Sequence, residues 1–117
     1  MIVSVIYQLQ PGQKLDVDYY LKTHIPLVQA RFGPLGMKGA QVLHGTGSPA
    51  GPAPAILITL LDFESLQAFQ TAIETHGAEV MGDVANFTDT QPSIQFNLNP
   101  AVGAVWHRRV GEQFNPW

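Results

Sequence analysis

The sequence predicts a single α+β domain of the ferredoxin-like kind: a βαββαβ chain with two helices on one face of a four-stranded antiparallel sheet. Three observations carry that expectation. Short apolar runs of strand length stand at residues 2–8, 38–45, 55–61 and 93–99. Two longer stretches lie between them, after the first run and after the third. The chain has 117 residues, no internal repeat and no linker, which is room for one domain.

The first strand, residues 2–8, ends at the turn Gln10-Pro11-Gly12. Residues 15–33 then follow a helical pattern, broken by Pro34-Leu35-Gly36. On a 3.6-residue turn Val17, Leu21, Val28 and Phe32 form the core stripe. Tyr20, His24, Leu27 and Arg31 fall along one edge of it, and Tyr19, Lys22 and Thr23 point away. The second strand, residues 38–45, leads into a Gly- and Pro-rich loop over 45–54. Residues 55–61 form a strongly apolar third strand. Asp62 is the expected N-cap of the second helix and Gly77 its C-terminal stop. Residues 79–87 suit a shorter helix before the fourth strand.

The fourth strand alternates, with Ile94, Phe96 and Leu98 opposite Gln95, Asn97 and Asn99. The first and third strands do not: Ile2 and Ile6 oppose Val3, Val5 and Tyr7, while Ile56, Ile58 and Leu60 oppose Leu57 and Leu61. Strands apolar on both sides are covered on both sides. Helices cover one face, and a second copy of the chain is the economical cover for the other, giving a homodimer with a barrel-like core. Charged residues are scarce, 13% against a typical ~25%, which also favours a hidden surface. The competing cover is the chain's own tail, residues 100–117. Its Trp106, Phe114 and Trp117 are expected to pack on the domain of residues 1–99 or on its dimer partner.

Composition excludes several classes of partner and chemistry. Net charge is −3, and the one basic cluster, His107-Arg108-Arg109, is too short for a nucleic-acid footprint. No apolar run approaches the ~20 residues that span a bilayer. No positive region precedes the first strand, so the expected compartment is the cytoplasm. There is no cysteine, hence no disulfide or thiol chemistry. The four histidines are scattered, so no metal is expected. No Gly-rich nucleotide fingerprint stands in a strand-turn-helix setting, so no cofactor is expected either.

Two histidines and two tyrosines carry the chemistry that remains. Tyr20 and His24 are i,i+4 neighbours at the boundary of the core. Pro26 removes the helical hydrogen bond to the Lys22 carbonyl, so the helix kinks or restarts beside His24. An imidazole titrating near ~6.5 suits proton transfer at neutral pH, and a phenol can orient or polarise a substrate oxygen. The structural alternative stays open: His24 donating to the freed carbonyl and Tyr20 capping the core. Tyr7 either lines the same pocket or packs in the barrel. His44 ends the second strand at the Gly-rich loop, where it can face the pocket or serve as a strand-end polar residue. His76 falls in the last turn of the second helix, where a cation suits the helix dipole. Asn86 and Asp89 flank Phe87 and close a turn into the last strand, with a ligand contact as the alternative.

Tyr19-Tyr20-x-x-x-His24-x-Pro26-Leu27-Val28 resembles the first-helix signature of the EthD family. Asp83-Val84-Ala85-Asn86-Phe87-Thr88-Asp89 resembles that family's second recurring stretch. The resemblance covers about residues 1 to 99 and implies the dimeric α+β barrel group. Many members of that group handle a small cyclic or aromatic compound between helices and sheet. The resemblance therefore implies a cofactor-independent enzyme acting on a hydrophobic cyclic or aromatic carbonyl compound. Isomerase, cyclase, decarboxylase and monooxygenase chemistry all remain open, in ether or other xenobiotic degradation. His24 and Tyr20 would be its catalytic groups, and Tyr7, Leu27, Arg31, His44 and Asn86 would contact the small-molecule ligand. The alternative is a non-catalytic ligand-binding or accessory protein of such a pathway.

Overall fold

Alternation decides which side of each strand is buried. In the computed structural model, which describes residues 1–98, β1 (Ile2–Tyr7) buries Val3 and Tyr7, and β3 (Leu57–Phe63) buries every second residue from Leu57 to Phe63. The two strands pair antiparallel, with Val3 opposite Leu61 and Tyr7 opposite Leu57. β2 (Met37–His44) adds to the far side of β3, and β4 (Ser93–Asn97) to the free side of β1. The sheet order β2-β3-β1-β4, antiparallel throughout, is the ferredoxin-like arrangement.

The first helix comes in three pieces. Asp16 caps it by accepting from the Tyr19 N–H at 3.0 Å, and α1 (Val17–Tyr19) passes into a π turn over Tyr20–His24. The Ile25 N–H closes that turn on the Tyr20 carbonyl. A new α-helix, α2 (Ile25–Phe32), then starts with Pro26 in its first turn, where a missing N–H costs nothing. The extra residue of the π turn rotates the helix by about 100°. It corrects the expected core stripe: Leu21 is 48% exposed, and Tyr20, His24, Ile25, Val28 and Phe32 are the buried residues.

A 3-10 turn over Gly33–Leu35 ends at Gly36, which has φ +108°, and a Cβ there would lie 2.9 Å from the Ala68 Cβ. Only glycine meets both demands. β3 then runs two residues further than its apolar run, because Asp62 still pairs with Ile2 and Gly39. The N-cap of α3 (Leu66–Gly82) is accordingly Ser65 rather than Asp62, with its hydroxyl accepting from the Ala68 N–H at 3.0 Å. α3 also runs straight through Gly77, which is buried and packs close to Ile73, so Gly77 is not a stop. His76 consequently stands inside the helix, away from the dipole end. Only the first part of the expected helix at 79–87 continues α3; a 3-10 turn over Asp83–Asn86 replaces the rest.

Two clusters fill the space between helices and sheet. One centres on Val28, Phe32, Phe63, Phe69 and Val80. The other joins Tyr7, Tyr20, Ile25, Leu57, Val84 and Phe87. Burying each large apolar side chain contributes roughly 1.5–3 kcal/mol. On the far face Ile2, Ile6, Ile58 and Leu60 are half-buried. On β4, Ile94 and Phe96 pair with Val5 and Val3 on the helix side, yet stay 44% and 53% exposed. Asn99, the expected end of the fourth strand, and the tail of residues 100–117 lie outside the described residues.

Candidate active site

The π turn places Tyr20 and His24 on the same inward face, one turn apart. Their rings stack with centroids 5.3 Å apart, and the residues are 1% and 4% exposed. Tyr7, from the end of β1, meets Tyr20 edge-on at 5.6 Å. Phe87 packs against both, 4.6 Å from the imidazole and 5.0 Å from the phenol ring.

Tyr20, His24 and Asp83 each have side-chain hydrogen-bond partners here. The Tyr20 hydroxyl shares a short hydrogen bond with the hydroxyl of Thr59 in β3. His24 Nδ1 lies 2.9 Å from Asp83 Oδ2. Asp83 Oδ1 accepts from the Tyr19 hydroxyl at 2.7 Å and from the Asn86 amide at 2.9 Å.

Burial and these partners set the charge states. Burial lowers the His24 imidazole below its ordinary value, and the pull of Asp83 in the other direction does not overcome it. Burial would raise the Asp83 carboxyl, but hydrogen bonds from Tyr19, Asn86 and His24 outweigh it and hold the group below the usual aspartate value. Burial raises Tyr7 far above an ordinary tyrosine, with Tyr20 adding to the effect. It also raises Tyr20, against the hydroxyls of Thr59 and Tyr7. At neutral pH the site therefore holds a neutral imidazole, two protonated phenols and one carboxylate.

These rings form the polar end of a cavity between the helices and the sheet. Val5, Val28, Phe32, Leu61 and Phe69 line its apolar part. Among the described residues none of the lining side chains carries a formal charge at neutral pH. The room for the centre of a water-sized sphere is about 40 Å³, against roughly 10–15 Å³ for one water. A ring-sized ligand therefore requires side chains to move. Met81 and Ile94 line the cavity while being 42% and 44% exposed, which places them at its mouth.

Of the residues singled out in the sequence, Tyr7, Tyr20 and His24 meet at this cavity. Leu27 is half-buried on α2 outside its lining. Arg31 is a tie between helices: Nε and Nη2 donate to the two Glu79 oxygens at 2.7 and 3.2 Å. His44 is exposed at the end of β2, opposite Leu57. Asn86 stands behind the site, on Asp83. In place of a freed carbonyl near Lys22, the structure gives His24 a carboxylate partner. Asp83 and Thr59 are site residues to which sequence reasoning assigns no role. Thr59 leaves a signal, as the lone polar residue in the apolar run Ile56-Leu57-Ile58-Thr59-Leu60-Leu61. Asp83 opens the stretch Asp83–Asp89 that resembles the family's second recurring stretch, but nothing in the sequence pairs it with a histidine 59 residues away.

A second cleft, open and about 390 Å³, lies between Lys14–Asp16 and Ala85–Asp89. Its polar groups close loops: Asp89 accepts from the Lys14 N–H at 3.0 Å, and the Thr88 hydroxyl donates to the Lys14 carbonyl at 2.6 Å. Among the described residues no group of three or more His, Cys, Asp or Glu could hold a metal ion, and no helix is long and apolar enough to cross a membrane.

Fold and cluster together define a ferredoxin-like α+β protein with a polar-ended apolar cavity. The EthD domain profile matches residues 14–91, two thirds of the chain. The chain belongs to the EthD family. It is similar to an EthD-like protein of Ralstonia eutropha JMP134, with 32% identity, TM-score 0.74, and 80% of this chain and 86% of that one covered. It also shares its fold with an ethyl tert-butyl ether (EthD) family protein of Bacillus halodurans C-125. That likeness has 20% identity, TM-score 0.55, and covers 83% and 96% of the two chains. No curated protein is similar enough to count as a match.

Proposed function

We propose that the protein is a cofactor-independent enzyme that moves a proton on a neutral, hydrophobic cyclic or aromatic carbonyl compound. The observation that carries this reading is an imidazole and a phenol, their ring centroids 5.3 Å apart, at the polar end of an otherwise apolar cavity. An apolar lining without a cation suits an uncharged ligand. Its oxygen would accept from the Tyr20 hydroxyl. A neutral His24 would take a proton from the carbon next to the carbonyl, while Tyr20 stabilises the developing enolate oxygen. Return of the proton, to the same carbon or another, completes an isomerisation. Attack of the enolate carbon on a second carbonyl of the substrate, with the proton delivered to the new alkoxide, would give cyclisation. Loss of CO2 from a β-keto acid would generate the same enolate. Addition of the enolate to O2, followed by loss of water from the hydroperoxide, would give oxygenation. The name of the family is the support for placing this chemistry in ether or xenobiotic breakdown. The working unit we propose is a homodimer joined through the sheet face that bears Ile2, Ile6, Ile58 and Leu60.

Deuterium uptake in D2O tests the reading even where the product is unidentified. A panel of apolar cyclic and aryl ketones is incubated with the full chain, and exchange next to the carbonyl is followed by NMR. Catalysed uptake should fall roughly 10²–10⁴-fold in His24→Ala, the usual range for a lost general base. Tyr20→Phe should lose less, since the ring stays and one hydrogen bond goes. Binding of a panel compound with uptake unaffected by His24→Ala would make the site a carrier's rather than an enzyme's.

A further inference from the structure

We infer that Asp83 is a positioning residue that fixes the tautomer of His24, and that the stretch Asp83–Phe87 is the back wall of the site. This rests on His24 as the proton-moving group. The His24–Asp83 pair is largely buried. The imidazole and carboxylate side chains are 5% and 12% exposed, with Nδ1 2.9 Å from Oδ2. Tyr19 and Asn86 both donate to Oδ1, which leaves Oδ2 for the ring. A carboxylate only accepts, so Nδ1 must carry the hydrogen. In a neutral imidazole the lone pair then resides on Nε2. Among the described residues Nε2 has no protein partner, and no buried side-chain nitrogen or oxygen is left unpartnered. Nε2 is therefore not sealed in, and the cavity that His24 lines is the space it opens to.

The position of Asp83 argues against a merely local role. It closes the C-terminal end of α3, a helix of 17 residues. A helix C-terminus carries partial negative charge, so a carboxylate is electrostatically misplaced there, where Lys, Arg or His would be favoured. What offsets that cost is three donors, two of which come from the first helix. Phe87, four residues on, seals the ring from the other side at 4.6 Å. The two separated sequence stretches thus meet as one device. Tyr20 and His24 supply the groups at the cavity; Tyr19, Asp83, Asn86 and Phe87 hold the imidazole in place.

The test is ¹⁵N NMR of His24 in the full chain, which needs no substrate. The wild type should show a protonated Nδ1 and a bare Nε2 at neutral pH. Asp83→Asn removes the anion, so the Nδ1–H preference should be lost and the titration midpoint of His24 should fall. Tyr19→Phe keeps the anion but removes one donor to it. The carboxylate then becomes more basic and the midpoint of His24 should rise, which serves where Asp83→Asn does not fold. An Nε2–H tautomer in the wild type, or variants that leave tautomer and midpoint unchanged, would overturn the inference. A tautomer that behaves as stated while His24→Ala leaves deuterium uptake intact would reject the catalytic reading and keep the positioning one.

Discussion

At the scale of single residues, the site depends on hydrogen bonds made in a dry place. Thr59 is 1% exposed and bonds the Tyr20 hydroxyl, itself in a residue 1% exposed. Thr59→Val keeps the shape and leaves a buried phenol short of a partner. It should destabilise the protein by about 1–3 kcal/mol in urea unfolding, the range for a buried polar group left unsatisfied. No change in the unfolding midpoint would show that Tyr7 alone satisfies Tyr20. His24 predicts a pH dependence with a definite sign. Its folded value lies below its unfolded value of ~6.5. The unfolded chain therefore binds the proton first as pH falls. The contribution of neutral His24 is full above ~6.5 and is lost as pH drops from there through the lower folded value. Asp83 acts in the same direction below its own unfolded value of ~3.9, being depressed in the fold. Unfolding experiments at pH 7 and pH 5 should show a fall for the wild type that His24→Ala reduces. An equal fall in both would assign the slope elsewhere.

Whole elements show what the sequence can and cannot reveal. The strands and their order are legible, because apolar runs bounded by Gly and Pro mark strands whatever their partners. The clustering of Tyr20 and His24 is legible too, from i,i+4 spacing. The register of the first helix is not. Pro26 announces a break in the regular pattern, but only the fold decides between a kink, a restart and a π turn. The π turn exposes Leu21 and brings Tyr19 onto Asp83. The end of α3 is not legible at Gly77, because a glycine that stops a helix and one that allows close packing look alike in sequence. Gly77 is buried and close to Ile73, which is the second case. Gly36, by contrast, needs a positive φ and has no room for a side chain. Gly36→Ala should cost about 1–3 kcal/mol from backbone strain alone. A thermal unfolding midpoint equal to wild type would contradict that account of the turn between α2 and β2.

The whole molecule raises the question of what covers the second face of the sheet. Ile2, Ile6, Ile58 and Leu60 are only half-buried there, beside polar Ser4, Gln95 and Asn97. A partner sheet would complete their burial. Light scattering should give the mass of a dimer at micromolar concentration. Ile58→Asp should yield a folded monomer, since a charge at a sheet interface has no partner there. A monomeric wild type would contradict the homodimer.

The central claim is the location of the site, and ligand mapping by two-dimensional NMR tests it most directly. Titrating the full chain with apolar ketones should perturb Tyr7, Tyr20, His24 and Val84 together, with Met81 and Ile94 responding as the mouth opens. Perturbations confined to the cleft at Lys14–Asp16 and Ala85–Asp89, or to the open sheet face, would contradict it.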